Sequence, residues 1–121
     1  MEFEKVTPIL RMFDEFKARE FYVDFLEFKI DWEHRFEDGF PLYMQVSKSH
    51  CTIHLTEHHG DASPGAAIRI PTVDVEEYQK YLLSKKYKNA RPGIVLQPWD
   101  SKEMSITDPF GNKLVFFETI S

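Results

Sequence analysis

The chain of 121 residues holds a single cysteine, Cys51, so it can form neither an internal disulfide nor a cysteine-based zinc cluster. It has no uncharged apolar run approaching the ~20 residues that a membrane helix needs. Its five glycines build neither a phosphate-cradling loop nor a Gly-x-Ser-x-Gly elbow. Positive charge is also short, with 15 Lys and Arg against 20 Asp and Glu; the net charge of -5 argues against a nucleic-acid backbone as partner and mildly favours a cationic ligand. The opening Met1-Glu2-Phe3-Glu4-Lys5 lacks the basic and apolar regions of a secretory leader. The chain is therefore read as cytoplasmic, with no membrane and no nucleic acid as partner.

Apolar side chains make up 42% of the residues and aromatic ones 15%, enough to bury a sizeable core, and the length fits one domain, 1–121. The two halves of that domain follow one plan. Val6 to Phe13 and Ala66 to Val73 are extended apolar runs, each ending at an aspartate that opens a helical pattern. Asp14 is placed to cap a helix whose buried face is Ala18, Phe21, Tyr22, Phe25 and Leu26. Asp74 with Glu77 three residues on reads as a capping box, followed by Val75, Tyr78 and Leu82 on one face and a Glu76/Lys80 pair.

Three strand patterns follow each helix. They are Phe28 to Phe36, Leu42 to Ser47 and Cys51 to Thr56 in the first half, then Ile94 to Gln97, Glu103 to Thr107 and Lys113 to Thr119 in the second. The predicted architecture is α+β: a module of about 1–58, a linker of about 57–65 rich in His, Gly, Ser and Pro, and a second module of about 66–121, each β-α-β-β-β.

This plan resembles the vicinal-oxygen-chelate superfamily of glyoxalases, extradiol dioxygenases, fosfomycin-resistance transferases and bleomycin-resistance proteins. Asp108-Pro109-Phe110-Gly111-Asn112, followed by an apolar strand ending at Glu118, is similar to the superfamily's last hairpin. Gln97-Pro98-Trp99, Glu103 and Phe116 around that turn, with Leu55-Thr56-Glu57-His58-His59-Gly60-Asp61 closing the first half, bring the resemblance nearest to the bleomycin-resistance branch. It implies two curled mixed sheets around a groove, completed by a second chain in a homodimer. It also implies that the metal-ligand positions of the enzymes fall on Thr7, His54, Ala67 or Ile68, and Val115. Only His54 could ligate, whereas a catalytic divalent ion takes about three protein ligands, so no metal and no other cofactor is expected.

Among individual residues, Trp99 follows a proline in a loop, where rigid aromatic area commonly meets a flat ligand, and the resemblance puts that loop at the drug groove. Glu103 just beyond it is the candidate counter-charge for a cation. His54 alternates with Thr52 and Thr56 and so shares the face expected to line the groove. Phe36, Phe40 and Tyr43 flank the first hairpin as further aromatic candidates. Cys51 is read as a buried structural thiol, and His58 and His59 as surface histidines. No acid–base pair has a defined geometry, so no catalytic residue is assigned. The function expected is sequestration of a cationic aromatic antibiotic of the bleomycin type without turnover. The alternatives are a metal-dependent lyase, dioxygenase or thiol transferase of the same superfamily, and a binder of another small metabolite.

Overall fold

The computed structural model describes residues 1–120, which fall into two compact units, one ending at Pro64 and the other beginning at Gly65. In the first, β1 (Ile9–Arg11) leads to α1 (Glu15–Ala18), which continues as a π-helical segment over Arg19–Phe25. Then come β2 (Lys29–His34), β3 (Tyr43–Lys48) and β4 (Cys51–Thr56). The second unit repeats the sequence of elements: β5 (Ala67–Pro71), α2 (Val75–Ser84), β6 (Val95–Gln97), β7 (Ser101–Thr107) and β8 (Lys113–Thr119). Each unit has one four-stranded mixed sheet, ordered β1-β4-β3-β2 and β5-β8-β7-β6, in which the first strand runs parallel to the last and the other pairs are antiparallel. The fold is α+β with two tandem β-α-β-β-β modules. Among the described residues no helix is long and apolar enough to cross a membrane.

Alternation along the strands gives each sheet a face packed against its helix and an opposite, more open one, which in the second sheet still buries Ser101, Glu103 and Val115. In the first module Met44, Val46, Ile53 and Leu55 are buried, together with Phe21, Tyr22, Phe25 and Leu26 of the helical segment; Phe21 meets Tyr22 edge-on at 4.9 Å. In the second, Met104, Ile106, Leu114 and Phe116 are buried with Val75 and Leu82 of α2, and Tyr78 packs edge-on to Phe116 at 5.4 Å.

Several local readings need correction. The first strand is Ile9–Arg11, much shorter than the apolar run from Val6 to Phe13, because only this stretch finds its partner Leu10↔Leu55 in register with β4. Asp14 caps α1 through its carboxylate, which accepts from the Phe16 and Lys17 amides at 2.9 and 3.2 Å, but the helix then widens to i→i+5 bonding, with the Leu26 amide donating to the Phe21 carbonyl. Asp74 makes no side-chain cap: its backbone is left-handed (φ 58°), and the Asp74 and Val75 amides donate instead to the Glu118 carboxylate of β8 at 2.9 and 3.2 Å. Glu76 forms its ion pair with Lys102 of β7, at 2.6 Å. Cys51 is half-buried, and burial pushes its thiol above the ordinary range.

The turn at Asp108 is structural. Its carboxylate accepts from the Phe110 and Asn112 amides and from the Asn112 side chain, while Gly111 takes φ 89°, a conformation glycine adopts without steric cost. Asn112 Oδ1 in turn accepts from the Ala66 amide at 3.2 Å, which fixes the start of β5.

Candidate functional site

On the open face of the first sheet the register aligns His54 of β4 with Gln45 of β3 and with Ile9 of β1, and Gln45 with Trp32 of β2. A bulge between Ile30 and Trp32 adds one residue to β2, so Asp31 reaches the same face as Trp32 and its carboxylate accepts from Gln45 Nε2 at 3.0 Å. Gln45 Oε1 lies 2.9 Å from His54 Nε2, and His54 Nδ1 lies 2.7 Å from the Tyr43 hydroxyl. One assignment satisfies the whole chain: Tyr43 donates to Nδ1, Nε2–H donates to Gln45, and the amide of Gln45 donates to Asp31. Burial lowers the His54 pKa below 6.5, which favours the neutral ring this assignment requires. Asp31 is held below the ordinary carboxyl range, foremost by the bond from Gln45 and then by one from Ser47.

Trp32 stacks on Tyr43 with ring centroids 6.0 Å apart and planes 7° apart, and meets His54 edge-on at 5.3 Å. Its indole is 42% exposed, so these three rings form an aromatic shelf with a carboxylate on the same face. The alternation of β2 as written in sequence does not reveal Trp32, Asp31 or Gln45 as neighbours, because the bulge shifts the register partway along the strand.

Phe36 and Phe40 stand in the loop between β2 and β3, stacked at 6.4 Å and both exposed. Arg35 holds that loop: its guanidinium donates to the Phe40 carbonyl at 2.9 Å and pairs with Glu15 of α1, while Glu57 accepts from the Leu42 amide at 2.8 Å.

In the second module, Trp99 occupies the tip of the three-residue connection between β6 and β7, closed by the Asp100 amide bonding to the Gln97 carbonyl with Asp100 at φ 57°. The indole is 60% exposed, yet its Nε1–H donates to Glu103 at 3.1 Å. Glu103 is only 6% exposed and accepts both guanidinium nitrogens of Arg69, at 2.8 and 3.3 Å. These bonds, Arg69 first, hold the Glu103 carboxyl down to about 2. Arg69 in turn lies over the Phe117 ring at 4.3 Å from its centroid. The negative charge of Glu103 is therefore already matched within the module, and the groups turned outward are the indole and the guanidinium edge. Arg69 was invisible to sequence reasoning, since it meets Glu103 only through the parallel pairing of β5 with β8 and the β8–β7 ladder.

Of the positions implied for metal ligands, only His54 carries a side chain that can ligate. Thr7 precedes β1, and Ile9, not Thr7, stands opposite His54. Ala67 and Val115 share one face of the second sheet, where Val115 is buried, whereas Ile68 pairs with Leu114 and belongs to the other face. Both ring nitrogens of His54 already have protein partners. Among the described residues, no three His, Cys, Asp or Glu side chains converge.

The family model described as glyoxalase superfamily protein matches residues 1–121. The chain belongs to the glyoxalase superfamily. Among solved structures it is similar to a glyoxalase-related enzyme from Clostridium phytofermentans (22% identity, 99% of this chain and 98% of that one, TM-score 0.76). It is similar as well to a bleomycin resistance determinant encoded on the transposon Tn5 (19%, 98% and 100%, 0.73). A third is the bleomycin-binding protein of bleomycin-producing Streptomyces verticillus, complexed with copper(II)-bleomycin (21%, 100% and 99%, 0.72). At these identities the likeness is one of fold, and glyoxalase-superfamily folds carry both enzymes and binding proteins. No curated protein matches the chain in sequence.

Proposed function

We propose that this glyoxalase-superfamily protein binds a planar, cationic aromatic antibiotic of the bleomycin type and holds it without chemical turnover. The observation that carries the reading is Trp99: an exposed indole at a hairpin tip, fixed in orientation by a buried carboxylate. A large ring that packs little of its own surface, yet is pinned, is preorganised to stack on a flat ligand at low ordering cost. The first module carries ring faces of its own, the shelf of Trp32, Tyr43 and His54 and the exposed Phe36–Phe40 stack. Because Arg69 already neutralises Glu103, attraction of a cation comes from the net charge of -5 and not from a free carboxylate beside Trp99. Bleomycin binding by proteins of the same fold agrees with this reading.

Fluorescence titration with bleomycin tests it, in a Trp32→Phe background so that Trp99 alone reports. The expected result is saturable binding, with the drug recovered unchanged by mass. Trp99→Ala, followed calorimetrically, should lose ~1 to 3 kcal/mol, roughly a five- to two-hundred-fold weakening, and Trp99→Phe should keep part of the affinity because a stacking face remains. Equal affinity in wild type and Trp99→Ala, or conversion of the drug, would overturn the proposal.

A further inference from the structure

The positive charge of this acidic chain is unevenly placed. Between Glu77 and Asp100 the sequence carries Lys80, Lys85, Lys86, Lys88 and Arg91 and no carboxylate, so this one stretch holds five of the 15 Lys and Arg. Part of the cluster has an ordinary structural role. Cations at a helix C-terminus complement its dipole, and α2 ends here, with the Lys85 and Lys86 amides donating to the Leu82 and Leu83 carbonyls and the Lys85 ammonium 5.5 Å from the Tyr81 ring. That role does not reach Arg91, which lies on the chain returning from the helix.

Lys86 and Arg91 instead line a cavity of about 320 Å³ together with Leu83, Tyr87 and Ala90. The loop around it is tied down. Lys86 takes a left-handed backbone (φ 54°), the Ala90 amide closes a turn onto the Tyr87 carbonyl at 3.4 Å, and Gln79 of α2 donates to the Pro92 carbonyl at 3.0 Å. Among the described residues neither Lys86 nor Arg91 has a carboxylate partner.

We infer that this cavity is a second binding site, for a small phosphate monoester with an apolar or aromatic body. The phosphate sits between Lys86 and Arg91, where a guanidinium fork and an ammonium each give charge-assisted hydrogen bonds, and the body lies against Leu83 and Tyr87. The volume is at the lower end of small-molecule sites, and the lining combines apolar surface with a few placed charges, as such sites do. The site is built from one stretch of the second module and does not depend on Trp99.

The test is an amide NMR titration of the full chain with phenyl phosphate, run beside phenol and inorganic phosphate. Saturable shifts confined to residues 83–92 are expected with phenyl phosphate, with both fragments at least about tenfold weaker because each lacks one half of the recognition. Lys86→Ala and Arg91→Ala should each weaken phenyl phosphate about tenfold or more and the double variant should abolish the shifts, while Lys113→Ala and Trp99→Ala change nothing. The remaining amides report that each variant stays folded. Shifts spread over all exposed lysines, persistence of binding in the double variant, or equal affinity for inorganic phosphate would overturn the inference. So would shifts of 83–92 with an RNA oligonucleotide but not with phenyl phosphate. Loss of bleomycin binding would leave this site untouched, so the two proposals fail separately.

Discussion

Glu103 is flanked in sequence by Lys102 and Met104, neither of which is the partner that sets its state; Arg69 is. A carboxyl held at about 2 against an ordinary 4.5 contributes stability that is fully present above 4.5 and is lost as the pH falls toward 2. Trp99 emission should therefore be constant down to about pH 5 and change only below it, as protonation weakens the bond that pins the ring. In Arg69→Met the carboxyl keeps its burial and loses its cation, so the change should move to higher pH. An unshifted acid profile in that variant would show that Arg69 does not position Trp99 through Glu103. His54 behaves as a base with a lowered pKa: its neutral form and the hydrogen-bonded chain through it persist above 6.5 and fail as the pH drops through the lower folded value. Ring-proton NMR should place its midpoint below 6.5, and Tyr43→Phe, which removes a donor to the neutral ring, should raise it.

Among the elements, α2 shows how far a cap can come from in sequence. Its orphan amides are served by Glu118, on the strand that ends the second module, where two amides converge on one carboxylate. Glu118→Ala is expected to cost ~1 kcal/mol in denaturant unfolding and to speed hydrogen exchange in the first turn of α2. Asp74→Gly should cost nothing or stabilise, since a left-handed backbone at φ 58° suits glycine and the Asp74 side chain makes no cap. If Asp74→Gly proved as damaging as Glu118→Ala, the capping assignment would be wrong. The bulge in β2 has the same character: it sets Asp31 and Trp32 on one face, an outcome that strict alternation denies to consecutive residues.

For the whole molecule, the repeated strand order points to one supersecondary unit used twice. β6 is an edge strand with Val95 and Leu96 exposed, and such edges invite pairing unless covered. We propose that a second copy of the chain covers apolar surface of this kind, and sedimentation should find a particle of about twice 14.3 kDa at micromolar concentration. A mass of one chain would exclude the homodimer and leave β6 a bare edge.

Side-chain period and turn residues were enough to locate all eight strands and both helices, while the superfamily was reached through the resemblance carried by the Asp108–Asn112 turn and its neighbours; β4 and β8 have the bounds read from sequence. These features are local, set by side-chain period and turn chemistry within a few residues. Partners distant along the chain were not legible. Which carboxylate caps α2, which cation meets Glu103, and which rings gather around His54 are decided by strand register, and register joins residues through a bulge in one sheet and a parallel pairing in the other. Sequence could name Trp99, Glu103, Tyr43 and His54 as candidates from type and place; only tertiary structure could decide that Glu103 is spent on Arg69 and that His54 is locked between Tyr43 and Gln45.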